Sequence, residues 1–387
     1  MLSLVEVEKL APEVNVVDSN EELKLFCYKN CSRDTSSTMK KCRGIIFDKD
    51  GNNIFQGEPF TEEYTTTDLP PLDEIKDATV CESYEGTLIR FVYYKNAWVA
   101  STNKRLDMFR SRWGGPVSFG TMFIETLPPS GTSGTPGTDT PQQRYETFLN
   151  SLDKEKQHVY LMTSNNQTRI VSKHETSRIF KMYEVKDGII SYECNELPRL
   201  DIPLSHESIV DYVSNIDISV QQGIILLLPS GKSYKIFPDK YCRNVKLRGN
   251  ESSIRFRYIQ LRTTEDVEDF VRLYEEHIDM FNECEDLIEQ VVDRLLKEYV
   301  HRHIRPREFK VLPKDEHWIL KQAHTWHCED RKYNKVHWDV VSKILDKSTP
   351  SLINGMIKRQ YAINNNLVDS RRRPLQPVIN RGDEIKV

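Results

Sequence analysis

From residue 42 to about 262, apolar positions fall in short runs, alternating or continuous, each closed by polar residues, Gly or Pro. That pattern predicts strands lying on sheets with one or both faces buried. CRGIIFDKDGNNIFQ predicts two strands joined by an Asp-Gly turn, and LIRFVYYKNAWVAST repeats the form around Lys95-Asn96. HVYLMTS, TRIVS, RIFKMYEV, GIISYE, GIILLLP and KSYKIF follow as further strands. In SIRFRYIQLR, alternation puts Ile254, Phe256, Tyr258 and Gln260 on one face and Arg255 and Arg257 on the other, which extends the strand reading to Arg262.

Near residue 263 the period changes. Val267, Phe270, Val271, Tyr274, Ile278 and Phe281 fall at helical spacing, and the stripe resumes at Leu287, Ile288, Val291, Val292 and Leu295. Further helices are predicted around 314–329, 335–347 and 350–361. The expected architecture is α+β: antiparallel β-sheets with flanking helices over residues 1–262, then an all-α C-terminal domain over 263–368. LPPSGTSGTPGTDTPQQ (127–143) has no apolar face and predicts a flexible surface loop. Residues 369–387, with RRRPLQP, predict a basic flexible tail.

Bulk properties narrow the class. With 38% hydrophobic and 29% charged residues, the chain of 387 is ordinary for a soluble globular protein. The N-terminus lacks a basic region followed by an apolar run, and no apolar stretch is long enough to span a bilayer. A cytoplasmic location without a membrane partner is expected. The eight cysteines show no paired spacing, so reduced thiols are expected and no metal site is read from them. Charge is uneven: residues 301–387 hold 18 Lys/Arg against 10 Asp/Glu, and residues 1–300 hold 36 against 48. A basic end on an acidic body suits an anionic partner, or equally a solvated helical face.

Residues 81–93, CESYEGTLIRFVY, carry the chemistry question. With RGIIFDKDGNNIFQGEPF, LMTSNNQTRIV, QGII and KIFPDKY, in that order, this run resembles the phage-type RNA ligase 1 family of covalent nucleotidyltransferases, from about residue 40 to 262. The overall style is also similar to ligase-like proteins of large DNA viruses, which would place it in a host cytoplasm. The resemblance implies a lysine that attacks a nucleotide phosphate at the position of Ser83. It implies a ribose-binding carboxylate where Met162 stands, and a metal-placing glutamate where Gln222 stands. Of two phosphate-neutralising lysines it implies, Lys235 is present and the second is Phe237. A serine cannot form a phosphoramidate, Met162 can only pack, and a glutamine is a poor Mg²⁺ ligand. Four losses in one pocket point to a pseudoenzyme without cofactor or metal.

The vacated pocket is expected to hold a nucleotide or cap through Tyr84, Glu85, Tyr183, Glu184, Lys235 and Phe237, with aromatic rings stacking on the base. Lys104, Arg105, Arg110, Arg112 and Trp113 interleave basic and aromatic residues before a Gly-Gly-Pro turn, and Arg243, Lys246 and Arg248 follow in a second basic run. Both suit an RNA backbone. His324, His327 and Cys328 share a segment without zinc spacing, and aromatic packing is the preferred reading there. The sequence thus points to a non-catalytic RNA-binding protein that recognises a 5′ end, the mRNA cap among the candidates, in translation or RNA processing, with protein partners at the helical domain. The alternatives are an active ATP-dependent RNA ligase with a relocated lysine, Lys104 or Lys235, and a protein scaffold with a plugged pocket.

Overall fold

A computed structural model of the chain describes residues 1–129, 139–165, 170–304 and 311–367. It divides into two compact units, Met1–Arg248 and Gly249–Val387.

The first unit contains strands β1 (Val14–Ser19), β2 (Leu23–Tyr28), β3 (Arg43–Asp48), β4 (Asn53–Phe55), β5 (Glu62–Thr65), β6 (Thr79–Ser83), β7 (Thr87–Tyr94), β8 (Ala97–Ser101), β9 (Gln157–Thr163), β10 (Arg178–Lys186), β11 (Ile189–Ser191), β12 (Gly223–Leu227) and β13 (Ser233–Phe237). They form three sheets, ordered β1-β2-β3-β4, β11-β10-β9-β7-β8 and β5-β13-β12-β6. Pairing is antiparallel throughout except between β5 and β13. The hairpin expected at Lys95-Asn96 is present, with both residues at positive φ (47° and 65°), as a two-residue turn between right-twisted strands requires.

The sheets meet on a shared core. Leu25 and Phe55 from the first, Cys81, Ile225 and Leu227 from the β6–β12 side, and Val159, Leu161, Tyr183 and Val185 from the β9–β10 side pack in one cluster. Each sheet's other face is covered separately. Val14, Phe26, Ile45 and Phe47 cluster with Val7 of the N-terminal helix Leu4–Glu8. Phe91, Tyr160 and Met162 pack on Phe123 of helix Phe119–Thr126 and Tyr145 of helix Pro141–Ser151. Ile224, Leu226 and Ile236 pack on Ile209 and Val213 of helix His206–Ser214. Period-2 alternation therefore decides what faces the interior.

Four expectations are corrected here. SIRFRYIQLR is not a strand but helix Ile254–Leu261, capped by the Ser253 side chain, which accepts from the Phe256 N–H. Ile254, Tyr258 and Leu261 also fit helical spacing, so a run this short satisfies both periods, and burial of Tyr258, Ile259 and Leu261 selects the helix. The preceding basic run is helix Asp239–Arg248. The first unit accordingly closes at Arg248, ahead of the boundary expected at 262. Within TRIVS, residues 170–172 lie outside any strand because their N–H groups bond to a side chain instead. Of the loop expected at 127–143, residues 130–138 lie outside the described residues, but Pro141 already begins a helix. There Thr140 and Gln143 form a reciprocal capping box. The tail at 369–387 also lies outside the described residues.

The second unit contains helices Val267–Leu273, Ile278–Tyr299, Lys314–Glu329, Trp338–Asp346 and Pro350–Asn364, as the helical periodicity predicts. Buried Glu316 is held by the guanidinium groups of Arg294 (2.7 Å) and Arg359 (3.1 Å). Among the described residues, no helix is long and apolar enough to cross a membrane.

Candidate functional site

On the sheet β5-β13-β12-β6, Val80, Ile224, Leu226, Tyr234 and Ile236 face the covering helix. Alternation turns Cys81, Ser83, Lys235 and Phe237 to the opposite, interior face. Two motif glycines explain themselves by close approach. A Cβ on Gly86 would lie 2.5 Å from the Met162 carbonyl oxygen, and one on Gly223 would collide with the Ile236 carbonyl.

Ser83, where the resemblance expects a lysine, is buried and its hydroxyl oxygen accepts a side-chain hydrogen bond. The Gln222 Nε2 donates to Ser83 Oγ (2.7 Å) and to the Tyr84 carbonyl (2.9 Å), and the Tyr241 hydroxyl donates to Gln222 Oε1 (3.0 Å). Burial, with Glu85 nearby, pushes Tyr241 ionisation well up. The result is a neutral hydrogen-bonded chain, and among the described residues no carboxylate, imidazole or lysine is hydrogen-bonded to the serine hydroxyl.

Glu85 is equally committed. Its carboxylate accepts from the backbone N–H groups of Ile170 (3.0 Å), Val171 (2.8 Å) and Ser172 (3.0 Å). This nest of donors fixes residues 170–172 beside the Ser83 turn. Burial lowers the Lys235 pKa, although Glu63, Glu58 and Glu85 pull it upward. Tyr183 is buried, with its hydroxyl accepting from the Glu58 N–H (3.0 Å). Phe237 packs on Tyr241, ring centroids 5.2 Å apart.

Two residues expected in the pocket are elsewhere. Met162 is buried on the helix-covered face of its sheet. Glu184, next to Tyr183 on β10, carries Lys156 (2.7 Å) and Lys181 (2.6 Å) and stands 3.3 Å from the buried His158 ring. Burial pushes its carboxyl up, but the two lysines outweigh that and hold it down at about 2. In both cases the strand was located and the side-chain parity was not.

Tyr84 turns away from this chain of contacts. Its ring stacks on Phe180 (5.2 Å, 4° between planes), meets His174 edge-on, and its hydroxyl donates to Glu82. Beyond the pair opens a cleft of about 270 Å³, walled by Tyr84, Phe180 and Thr163, with Lys173, His174 and Arg178 among its rim residues. Its far wall is pinned. The Lys173 N–H donates to the Ser219 carbonyl (2.7 Å), the Ser172 hydroxyl to that of Ile218 (3.0 Å), and His174 Nε2 lies 3.2 Å from the Glu85 carbonyl.

The basic stretch lies on the surface. Lys104, Arg105, Arg110 and Arg112 are exposed, and of these Arg105 reaches Asp18 at 3.8 Å. Trp113 is half-buried beneath Arg248, whose guanidinium carbon lies 5.2 Å from the ring centroid. Arg248, expected on an RNA surface, is buried. Its docking brings helix Asp239–Arg248 beside the 104–113 stretch, with Arg243 and Lys246 still exposed. In the second unit, Cys328 Sγ lies 3.6 Å from His324 Nε2, and His324 stacks on His303 at 3.9 Å. No group of three His, Cys, Asp or Glu able to hold a metal ion occurs among the described residues.

No protein-family model matches the chain. It is similar to three viral proteins. The immediate-early protein ICP-46 homolog of Invertebrate iridescent virus 6 is 26% identical over 379 residues, covering 88% of this chain and 81% of that protein. The homolog of Invertebrate iridescent virus 3 is 25% identical over 392 residues, covering 89% and 84%. Immediate-early protein ICP-46 of Frog virus 3 (isolate Goorha) is 25% identical over 260 residues, 64% of each. Among solved structures, two forms of an archaeal ATP-dependent RNA ligase each align at 12% identity and TM-score 0.40. The first covers 72% of this chain and 73% of its own, the second 69% and 68%.

Lys173, His174, Arg178, Phe180 and Tyr241 escaped the sequence reading. Tyr241 closes the KIFPDKY motif, but no local pattern shows that it reaches Gln222. The cleft residues become neighbours only once Glu85 folds the 170–172 segment back.

Proposed function

We propose that this chain is an RNA-binding protein that keeps the framework of an RNA ligase without its reaction. It would meet RNA near a 5′ end, and the methylated cap is the most specific form of that end the reading allows. The observation that carries this is the Gln222 amide on the Ser83 hydroxyl, a neutral contact where a ligase needs an unprotonated amine. Exposed Lys104, Arg110 and Arg112, with Arg243 and Lys246 on the neighbouring helix, supply the phosphate-facing charge. Likeness to immediate-early viral proteins agrees with action in an infected cell. The proposed role there is in translation or RNA processing, with the helical unit as the proposed surface for protein partners.

Two measurements test it. Incubation of the protein with labelled ATP or GTP and Mg²⁺ or Mn²⁺ should leave no covalent nucleotide, and a stable adduct would overturn the non-catalytic reading. Binding to a short single-stranded RNA should weaken steeply with salt. Lys104→Glu/Arg110→Glu/Arg112→Glu should reduce the log–log salt slope by about 2, at roughly 0.7 per lost contact.

One observation favours a second reading. Lys235 is an interior lysine whose pKa burial lowers, a condition that activates amines. An adduct that disappears in Lys235→Arg would identify it as a relocated nucleophile.

A further inference from the structure

We infer that the cleft beside Tyr84 is a seat for one nucleoside 5′-phosphate unit, with the base on Phe180 and the phosphate between Lys173 and Arg178. The inference rests on the RNA-binding reading and names the ligand chemistry of a place that reading leaves unassigned. Of the cleft's lining residues, Tyr84 and Thr163 lie in the motif stretches considered above, but Ser83, Gln222, Lys235 and Phe237 are not among them, so the seat is not the vacated nucleophile pocket.

Three properties point to this occupant. The first is the platform. Phe180 is half-buried and lies parallel to Tyr84, whose other contacts, His174 at its edge and Glu82 at its hydroxyl, hold it still. A ring backed in this way presents a rigid face, which is what base stacking uses.

The second is charge. Lys173 and Arg178 are exposed, and neither has a carboxylate within ion-pair distance among the described residues. Exposed Glu175 also lines the cleft, so the two cations outnumber the single acid. Burial lowers the His174 pKa and its Nε2 faces the Glu85 carbonyl, which leaves the positive charge of the cleft to Lys173 and Arg178. An Arg and a Lys lining the same cleft as an aromatic face match a phosphate attached to a base.

The third is fit. At about 270 Å³ the cleft has room for one nucleotide rather than two. Its walls are tied in advance by the Glu85 nest and the Lys173–Ser219 backbone bond, so little ordering is left to the ligand. Thr163 Oγ1 already accepts from the Arg178 N–H (3.0 Å), and the Ser219 hydroxyl already donates to Asp217 (2.7 Å). With these hydroxyls engaged, recognition by stacking and charge should tolerate any base.

The test uses the full chain at one fixed salt concentration. A short RNA is presented with a 5′-hydroxyl or a 5′-monophosphate, and AMP is titrated separately. The wild-type protein should bind the 5′-phosphate RNA on the order of tenfold more tightly than the 5′-hydroxyl RNA. Lys173→Glu/Arg178→Glu, both exposed, should abolish that difference, bringing 5′-phosphate affinity down to the variant's own 5′-hydroxyl affinity. Phe180→Leu, which keeps bulk without the ring, should weaken the phosphate-ended RNA while the melting temperature reports an intact fold. If the seat is filled by free nucleotide, AMP binds, the charge-reversed variant loses it, and the two RNAs bind alike. If RNA binds but the double variant changes neither the end preference nor AMP binding, the seat is refuted and the RNA reading stands. If neither RNA binds at all, the RNA reading falls, and binding of AMP lost in the double variant would alone keep the seat.

Discussion

The side-chain amide of Gln222 donates to the hydroxyl of Ser83 across 2.7 Å, between the residue ahead of β12 and the last residue of β6. Because both are buried, this contact is structural as well as chemical. Gln222→Leu leaves the Ser83 and Tyr241 hydroxyls without that partner and should destabilise the first unit by about 1–3 kcal/mol for each group left unsatisfied. Ser83→Ala removes one acceptor while Gln222 keeps the Tyr84 carbonyl, and should cost about 1 kcal/mol. Denaturant melts of the two variants check the order, and equal losses would show that Ser83 carries the whole network.

Glu85 offers a sharper contrast. Gln has the same shape but one acceptor oxygen in place of two, so Glu85→Gln should lose part of the grip on residues 170–172 and Glu85→Ala all of it. Charged acceptors contribute about 1.5–3 kcal/mol per bond. Hydrogen exchange at Val171 and Ser172 should accelerate in both variants, more in the alanine, before any change in the strands.

The pH dependence follows from Glu184. Its carboxyl is held at about 2 against an ordinary 4.5, so the folded state resists protonation more than the unfolded chain does. The stabilisation is complete above pH 4.5 and is lost as pH falls from there towards 2, up to about 3 kcal/mol in all. Burial lowers the pKa of His158, which acts in the same sense starting at its ordinary 6.5. Glu184→Gln should therefore flatten the fall in melting temperature between pH 4.5 and 2. An unchanged slope would show that Lys156 and Lys181 do not hold the carboxylate in solution.

Arg248 and the exposed arginines should separate cleanly. Arg248→Ala removes a buried side chain from over Trp113 and should lower stability with little effect on the salt slope of RNA binding. Arg110→Ala and Arg112→Ala should do the reverse. Melting curves and salt titrations of the same three proteins decide it.

Much of the fold was legible because it is written locally. The Lys95-Asn96 turn, the continuous apolar run of β12 and the helical stripe at 267–295 each state their structure within a few residues. Where two periods fit one short run, as in residues 254–262, sequence alone could not choose, and the packing of Tyr258 on Phe281 did. The site was legible in its motif positions, since Ser83, Lys235 and Phe237 share one face by simple alternation. Glu184 and Met162 were misplaced by a single residue of parity. The cleft was hidden for a different reason: its walls come from segments distant in sequence, tied together by Glu85, the Ser172 hydroxyl and backbone bonds.

Helix Asp239–Arg248 ends the first unit, yet it supplies Tyr241 to Gln222 and Arg248 to Trp113. Dissection of the gene is therefore sensitive to a few codons. A fragment ending just after Gly249 retains both anchors and should be a workable piece for crystals or binding assays. One ending at the last strand, Phe237, contains every sheet but leaves Gln222 and Trp113 uncovered, and should be recovered, if at all, as aggregate.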